Sequence, residues 1–179
     1  MSAYLHDGKP VGTFDIYQDE VANLKNLDKE LSVFGSHTHH YSFKPVVTEA
    51  DIERHEVRLG IKLPTVLKEF YLTVGNGGAG PGYGIFNLDS LIPIPDIDDS
   101  DEEDDGQWLV ELGLPAKLIA IMDLGCGYYF CMEPSDTDNN SKMYSYDVTY
   151  DDLCTPLDET LIETLLGWVE ESRQKILQK

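Results

Sequence analysis

Residues 48–86 read TEADIERHEVRLGIKLPTVLKEFYLTVGNGGAGPGYGIF. This stretch decides the fold, because two helices and a glycine-rich turn follow one another with their start and stop signals in place. Thr48 opens T-x-x-D, a capping-box variant in which the threonine oxygen takes an early backbone N–H and Asp51 reaches back to the Thr48 N–H. Ile52, His55, Glu56 and Leu59 then fall at i, i+3, i+4 and i+7, one helical face, and Gly60 stands where a left-handed residue ends a helix. Pro64 fits the first turn of a second helix, where no N–H is needed, and Val66, Leu67, Phe70, Tyr71 and Val74 recur at helical spacing as a core face. Glycines in residues 75–78 (GNGG) tolerate positive φ, so the chain turns back there toward an apolar run at 83–86 that reads as a short strand.

Working outward, Val21, Leu24, Leu27 and Leu31 are spaced for an N-terminal helix, followed by the turn-rich FGSHTHHYSFKP. Residues 91–94 (LIPI), 117–122, 128–133 and 142–148 read as strands. Gly125 to Gly127 turn the second into the third, and PSDTDNNS joins the third to the fourth. The spacing predicts a short helix around 108–112. Thr155-Pro156-Leu157-Asp158 reads as a second capping signal, with Leu161, Ile162, Leu165, Leu166, Val169 and Ile176 as the stripe of a long terminal helix and Trp168 on its flank. The expected fold is a single α+β domain, a mainly antiparallel sheet covered by helices. Within it, residues 1–44 form an N-terminal extension with a helix and 45–179 the main body.

Several of these elements together resemble the SUKH superfamily, whose signature is a helix with E-x-x-L-G-x-x-L-P, a following helix, N-G-G and a short strand. The matching positions are Glu56, Leu59, Gly60, Leu63 and Pro64, then Asn76, Gly77 and Gly78, with Gly84 and Phe86 in the strand. His39-x-Tyr41 with Pro45, and the run Leu124-Gly125-Cys126-Gly127-Tyr128-Tyr129, extend the resemblance over roughly 35–150. His55, Leu67 and Tyr71 depart from the residues usual at their positions, which changes packing detail but keeps the pattern. The resemblance implies the same α+β fold, a mainly structural role for the motif residues, and protein binding rather than catalysis. Many bacterial members resemble immunity proteins that neutralise polymorphic toxins, often basic nucleases, and fungal relatives are cell-wall assembly regulators.

Composition sets limits on partners. The chain has 179 residues, enough to bury about 70% of its unfolded surface, and 33 acidic against 13 basic side chains give a formal net charge of -20. Nucleic acid is an unfavourable partner, since its affinity for proteins comes from Lys and Arg neutralising phosphates. A basic protein is the natural complement. Such a charge also keeps proteins soluble without any partner. No run approaches the ~20 apolar residues of a membrane span, the N-terminus lacks the pattern of a signal peptide, and three cysteines fit reduced thiols, so a cytoplasmic location is expected. Eight acids crowd residues 96–105, DIDDSDEEDD: Asp96, Asp98, Asp99, Asp101, Glu102, Glu103, Asp104 and Asp105. This run is expected to be a solvated loop and a partner-binding segment.

Chemical motifs are incomplete. Asp101-x-Glu103-x-Asp105-Gly106 imitates the start of a calcium loop, but Leu112 stands where the bidentate Glu belongs. Gly75, Gly77 and Gly80 fit G-x-G-x-x-G but follow a helix and precede a strand, the reverse of a phosphate-binding context. His37, His39 and His40 lack the spaced partners of a metal site and read as loop polar residues, His39 as a local hydrogen-bonding group. Cys126 has no identifiable base and reads as a small turn residue, and carboxylates are too abundant for a pair to signal glycosidase chemistry. No catalytic residue, metal or cofactor is expected.

Glu56 lies on an inward helical face, so it must be paired or hydrogen-bonded. The expected donors are backbone N–H groups of the GNGG or GCG turns, with partner contact as the lesser alternative. The functions to weigh are toxin immunity, a regulatory interaction module and an unrecognised enzyme. Replacing Gly77 or Gly125 with Val should destabilise the protein by about 1 to 3 kcal/mol if each takes a φ that a β-branched residue resists. Thermal melting checks this, and two unchanged melting curves would contradict the turn assignment.

Overall fold

The capping and turn signals of residues 48–86 reappear in the computed structural model, which describes residues 5–6, 9–10, 14–94, 107–111, 113–134, 142–149 and 153–179. Two short strands, β1 (Leu5–His6) and β2 (Lys9–Pro10), precede α1 (Asp15–Leu27), α2 (Ser36–His39), α3 (Glu49–Leu59) and α4 (Thr65–Thr73). A 3-10 turn (Leu88–Ser90), β3 (Ile92–Ile94), α5 (Gln107–Glu111), β4 (Leu118–Gly125), β5 (Tyr128–Met132), β6 (Met143–Asp147), β7 (Leu153–Pro156) and α6 (Leu161–Leu177) follow. The last five strands form one antiparallel meander in the order β3-β4-β5-β6-β7. The mixed α+β architecture with a mainly antiparallel sheet is therefore the one expected.

Strand alternation gives the sheet two buried faces. Ile119, Ile121, Met132 and Met143 face the helices and share a core with Tyr17, Val21 and Leu24 of α1, Leu67, Phe70 and Tyr71 of α4, and Leu161, Leu165 and Val169 of α6. A register shift between Ala120 and Met122 bends the alternation, so consecutive Ile121 and Met122 both join this side. The opposite face carries Leu118, Ala120, Cys131, Tyr144, Tyr146 and Cys154, packed with Ile94 and with Leu109 of α5. Both outer strands contain a proline, Pro93 opposite Ile119 and Pro156 opposite Tyr144, a residue that sheets accept at their edges.

Four details differ from the sequence reading. In α1 the buried stripe is Tyr17, Val21 and Leu24, while Leu27 is exposed and Leu31 lies beyond the helix with φ 52°. The helix ends because Asp28 takes the Ser32 N–H at 2.8 Å and the Val33 N–H at 3.1 Å, an alternative to continued helical bonding. Residues 83–86 form no strand; Ile85 makes single bridges to Gly78 and Met122, with Gly82 and Gly84 at positive φ interrupting an extended run. Residues 155–156 belong to β7, and α6 is capped instead by Thr160, whose side chain accepts the Glu163 N–H while Glu163 accepts the Thr160 N–H. The acidic run 96–105 and its calcium-like register lie outside the described residues, as does most of PSDTDNNS.

Glu56 is the fourth difference, and it ties α3 to the turn that follows it and to α4. Gly60 ends α3 at φ 65°, and the chain doubles back so that the Leu63 N–H reaches Glu56 Oε1 at 3.0 Å. Lys62 and Lys68 add ion pairs at 2.6 Å each. The donors are thus this interhelical turn and two lysines, not the GNGG or GCG turns, because a short turn brings residue 63 back over the helix it has just left. Burial works to raise the Glu56 pKa, but the bonds from Lys62, Lys68 and Leu63 outweigh it and hold the carboxyl below its ordinary 4.5. Its stabilisation is complete above that value and is lost as pH falls through the depressed folded value. Glu56→Ala should cost about 3 kcal/mol by stranding Lys68 and the Leu63 N–H. Glu56→Gln should cost less and should flatten the acid limb of the stability curve, measured by urea denaturation between pH 3 and 7; a parallel limb in both proteins would contradict the pairing.

Candidate functional site

Three backbone segments with no common secondary structure converge beside the sheet. Residues 77–86 run between 42–44 on one side and 121–123 on the other. Lys44 N–H donates to Gly77 O at 3.1 Å and Ala79 N–H to Ser42 O at 2.9 Å. Across the other side, Tyr83 N–H donates to Asp123 O and Phe86 N–H to Ile121 O, both at 2.8 Å. Two buried phenols pin the middle segment from the helices: Tyr17 donates to Ala79 O at 2.8 Å and Tyr71 to Phe86 O at 2.9 Å. The approach is so close that a Cβ on Gly78 would overlap Ser42 O and one on Gly84 would overlap Gly78 O. A Cβ on Gly75 would likewise overlap Lys44 O and one on Gly77 would overlap Ile85 O, so close backbone approach, rather than a phosphate cradle, accounts for these two glycines.

The motif residues fall into two groups around this junction. Glu56, Leu59, Gly60, Leu63 and Pro64 build the α3–α4 corner, with Leu63 fully buried and Pro64 as the N-cap of α4. Asn76, Gly77, Gly78, Gly84, Gly125 and Gly127 build the junction itself. The Asn76 side chain accepts the Leu88 N–H at 2.9 Å, and Gly77, Gly125 and Gly127 take φ of 80°, 93° and 81°. The first group is tied to the 3-10 turn by His55, whose ring nitrogens face Asp51 O and Asp89 Oδ1, each at 2.8 Å.

The three histidines do not converge. His39 is buried against Trp168 and Tyr41, with ring centroids at 5.8 and 5.4 Å, whereas His37 packs nearly perpendicular to Tyr83. His40 and Tyr41 adopt φ of 51° and 50°, which costs of order 1 kcal/mol or more each and persists only where surroundings impose it. Here His39 Nδ1 accepts the Tyr41 N–H at 3.0 Å, and the Tyr41 hydroxyl donates to Asp28 at 2.6 Å. As an acceptor, Nδ1 leaves the proton on Nε2. Nε2 is buried without a well-formed hydrogen bond, near the Gly80 backbone. Burial, then the neighbouring His40 and His37, brings the His39 pKa down to about 4, against the raising effect of the Gly80 backbone.

Cys126 is exposed at the β4–β5 turn with φ 57°, and Cys131 and Cys154 are buried free thiols, Cys154 pushed up by burial to about 11. Among the described residues no three His, Cys, Asp or Glu side chains are grouped to hold a metal, and no helix is long and apolar enough to cross a membrane. What the sequence reading missed is the outward side of the junction. Phe34, exposed by 61%, and Tyr83, exposed by 38%, have ring centroids 5.4 Å apart. The Cβ position of Gly125 lies 3.3 Å from atoms of both rings. No signal in the sequence marks the pair, since a single apolar residue in a turn is ordinary and the two rings are 49 positions apart.

The neutral buried state of His39 is directly measurable. Its ring carbon proton should titrate by NMR with a midpoint near 4, and a midpoint at the ordinary value of 6.5 would mean that the ring is solvated.

Residues 46–167 match the SMI1 / KNR4 family (SUKH-1). No curated protein matches the chain. The family match covers both motif groups and reaches into α6, beyond the 35–150 span of the sequence resemblance, while Phe34 and the His39–Tyr41 turn precede it. More than half of the chain lies within it, and the chain belongs to the SMI1/KNR4 family, SUKH-1.

Proposed function

We propose that this protein is a non-catalytic binding protein whose partner is a basic toxin, which it neutralises as an immunity protein in the cytoplasm. Family membership supports protein–protein interaction as the mode of action. The observation that carries the finer reading is the formal net charge of -20, which makes a cationic protein surface the favourable complement and nucleic acid an unfavourable one. An anionic protein can occupy a cationic nucleic-acid groove by presenting carboxylates where phosphates would lie. The acidic run 96–105 is the steering element in this reading, acting on encounter and not on the bound state.

The test uses a basic toxin domain, which this reading expects to be encoded beside this protein. Co-expression should rescue growth, and the purified pair should bind. Replacing Asp98, Asp99, Asp101, Glu102, Glu103 and Asp104 with Asn or Gln should slow association several-fold at low salt and leave dissociation nearly unchanged. At about 1 M salt, where the Debye length is ~3 Å, the difference should vanish. No binding and no rescue would refute immunity and favour the regulatory module of the cell-wall assembly type.

A further inference from the structure

The outward side of the glycine junction is built as a contact face. Phe34 and Tyr83 touch each other at a tilt of 50°, and the His37 ring stands nearly perpendicular to Tyr83 with centroids 6.2 Å apart. The β4–β5 turn closes the floor beneath the two rings, and beyond it Val148, exposed by 39%, lies where a Cβ on Gly127 would collide with it. Scattered exposed apolar residues need no explanation, but a contiguous group does. This group is also held stiffly. The single Thr38 hydroxyl proton is shared between Gly35 O at 2.6 Å and Tyr83 O at 3.0 Å, and the Tyr83 N–H is bonded to β4. Rigid aromatic rings lose little entropy on binding.

The charge around the rings selects the occupant. Asp123 caps the β4–β5 turn by accepting the Gly125 N–H at 2.7 Å, and Asp147 on β6, opposite Tyr128, accepts the Thr149 N–H at 2.9 Å. Two carboxylates thus stand near the ends of β4 and β6, beside the turn whose Gly125 lies against the two rings. A second copy of the chain is disfavoured, because two bodies each at -20 repel. A guanidinium answers both features, since it stacks on aromatic faces, is weakly hydrated and pairs with carboxylates, whereas a strongly hydrated ammonium does the first poorly.

We propose that Phe34 and Tyr83, over the Gly125–Cys126–Gly127 turn, form the anchor for an arginine-bearing loop of a basic protein partner. The proposal rests on the reading of the protein as a neutraliser of such a partner, and it divides the work. The acidic run 96–105 sets the rate of encounter, and the two rings set the lifetime of the complex.

Titration of the isotope-labelled full chain with hexa-arginine amide, with hexa-lysine amide in parallel, tests the anchor directly. The ring resonances of Phe34 and Tyr83 and the amides of Gly125 and Gly127 should move with the arginine peptide and keep moving at about 0.5 M salt, where exposed charge attraction is largely screened. The lysine peptide should lose its effect there. Phe34→Ser and Tyr83→Ser should each weaken the arginine peptide by roughly threefold, while Val57→Ser, at an exposed α3 position, should not. Against the basic toxin domain, the two ring substitutions should speed dissociation roughly tenfold with little change in association. Rings that stay still while acidic residues shift would overturn the anchor. So would a toxin that leaves wild type and both variants equally slowly, an outcome that keeps the immunity reading intact. A toxin that fails to bind wild type would refute that reading alone, because the peptide titration still decides the anchor.

Discussion

The structure depends on the backbone hydrogen bonding of residues 77–86. This segment is neither helix nor strand, yet much of it is buried, and buried backbone polar groups must find partners. It finds them on two sides, in 42–44 and in β4, and through the phenols of Tyr17 and Tyr71. Because those phenols come from α1 and α4, the same bonds that satisfy the segment also place the helices on the sheet. Burial pushes both phenol pKa values up, so both remain donors throughout the physiological range. The small size of Gly78 and Gly84 is what lets the segments of this junction approach closely enough to bond at all.

Legibility in the sequence followed the range of the forces involved. The α3 helix was readable because its cap, its apolar period and its glycine stop all lie within thirteen residues of one another, from Thr48 to Gly60. The corner after it was half readable. That Glu56 had to be satisfied followed from its place on an inward face, but its donors, at positions 62, 63 and 68, depend on how the turn folds back. The start of α6 was misplaced because Thr155 and Thr160 both offer a threonine cap, and only the pairing of β7 with β6 distinguishes them. The Phe34–Tyr83 contact had no local signal, since it joins two turns through the β4–β5 hairpin and neither turn has a period.

Electrostatics divides between interior and surface. Inside, the protein avoids isolated charge: His39 stays neutral through burial, and Asp28 is satisfied by Tyr41, Ser32 and Val33, which hold its pKa down against burial. Glu56 is neutralised by two lysines. Outside, acids outnumber bases and are left to act at a distance. The fold thus tolerates a large net charge because the excess is kept away from the core, where each unpaired charge would cost several kcal/mol.

The prolines of the two outer strands bear on how this molecule can be recognised. Pro93 and Pro156 each remove a donor from a rim of the sheet, so an incoming extended peptide meets an interrupted row of hydrogen-bonding groups. Strand addition, which reads backbone more than side chain, is therefore poorly templated at either rim. The same interruption guards against edge-to-edge stacking of sheets when the protein is concentrated. A domain protected in this way is left to discriminate among partners by shape and side-chain chemistry on its turns, where substitutions can retune specificity without disturbing the ladder beneath.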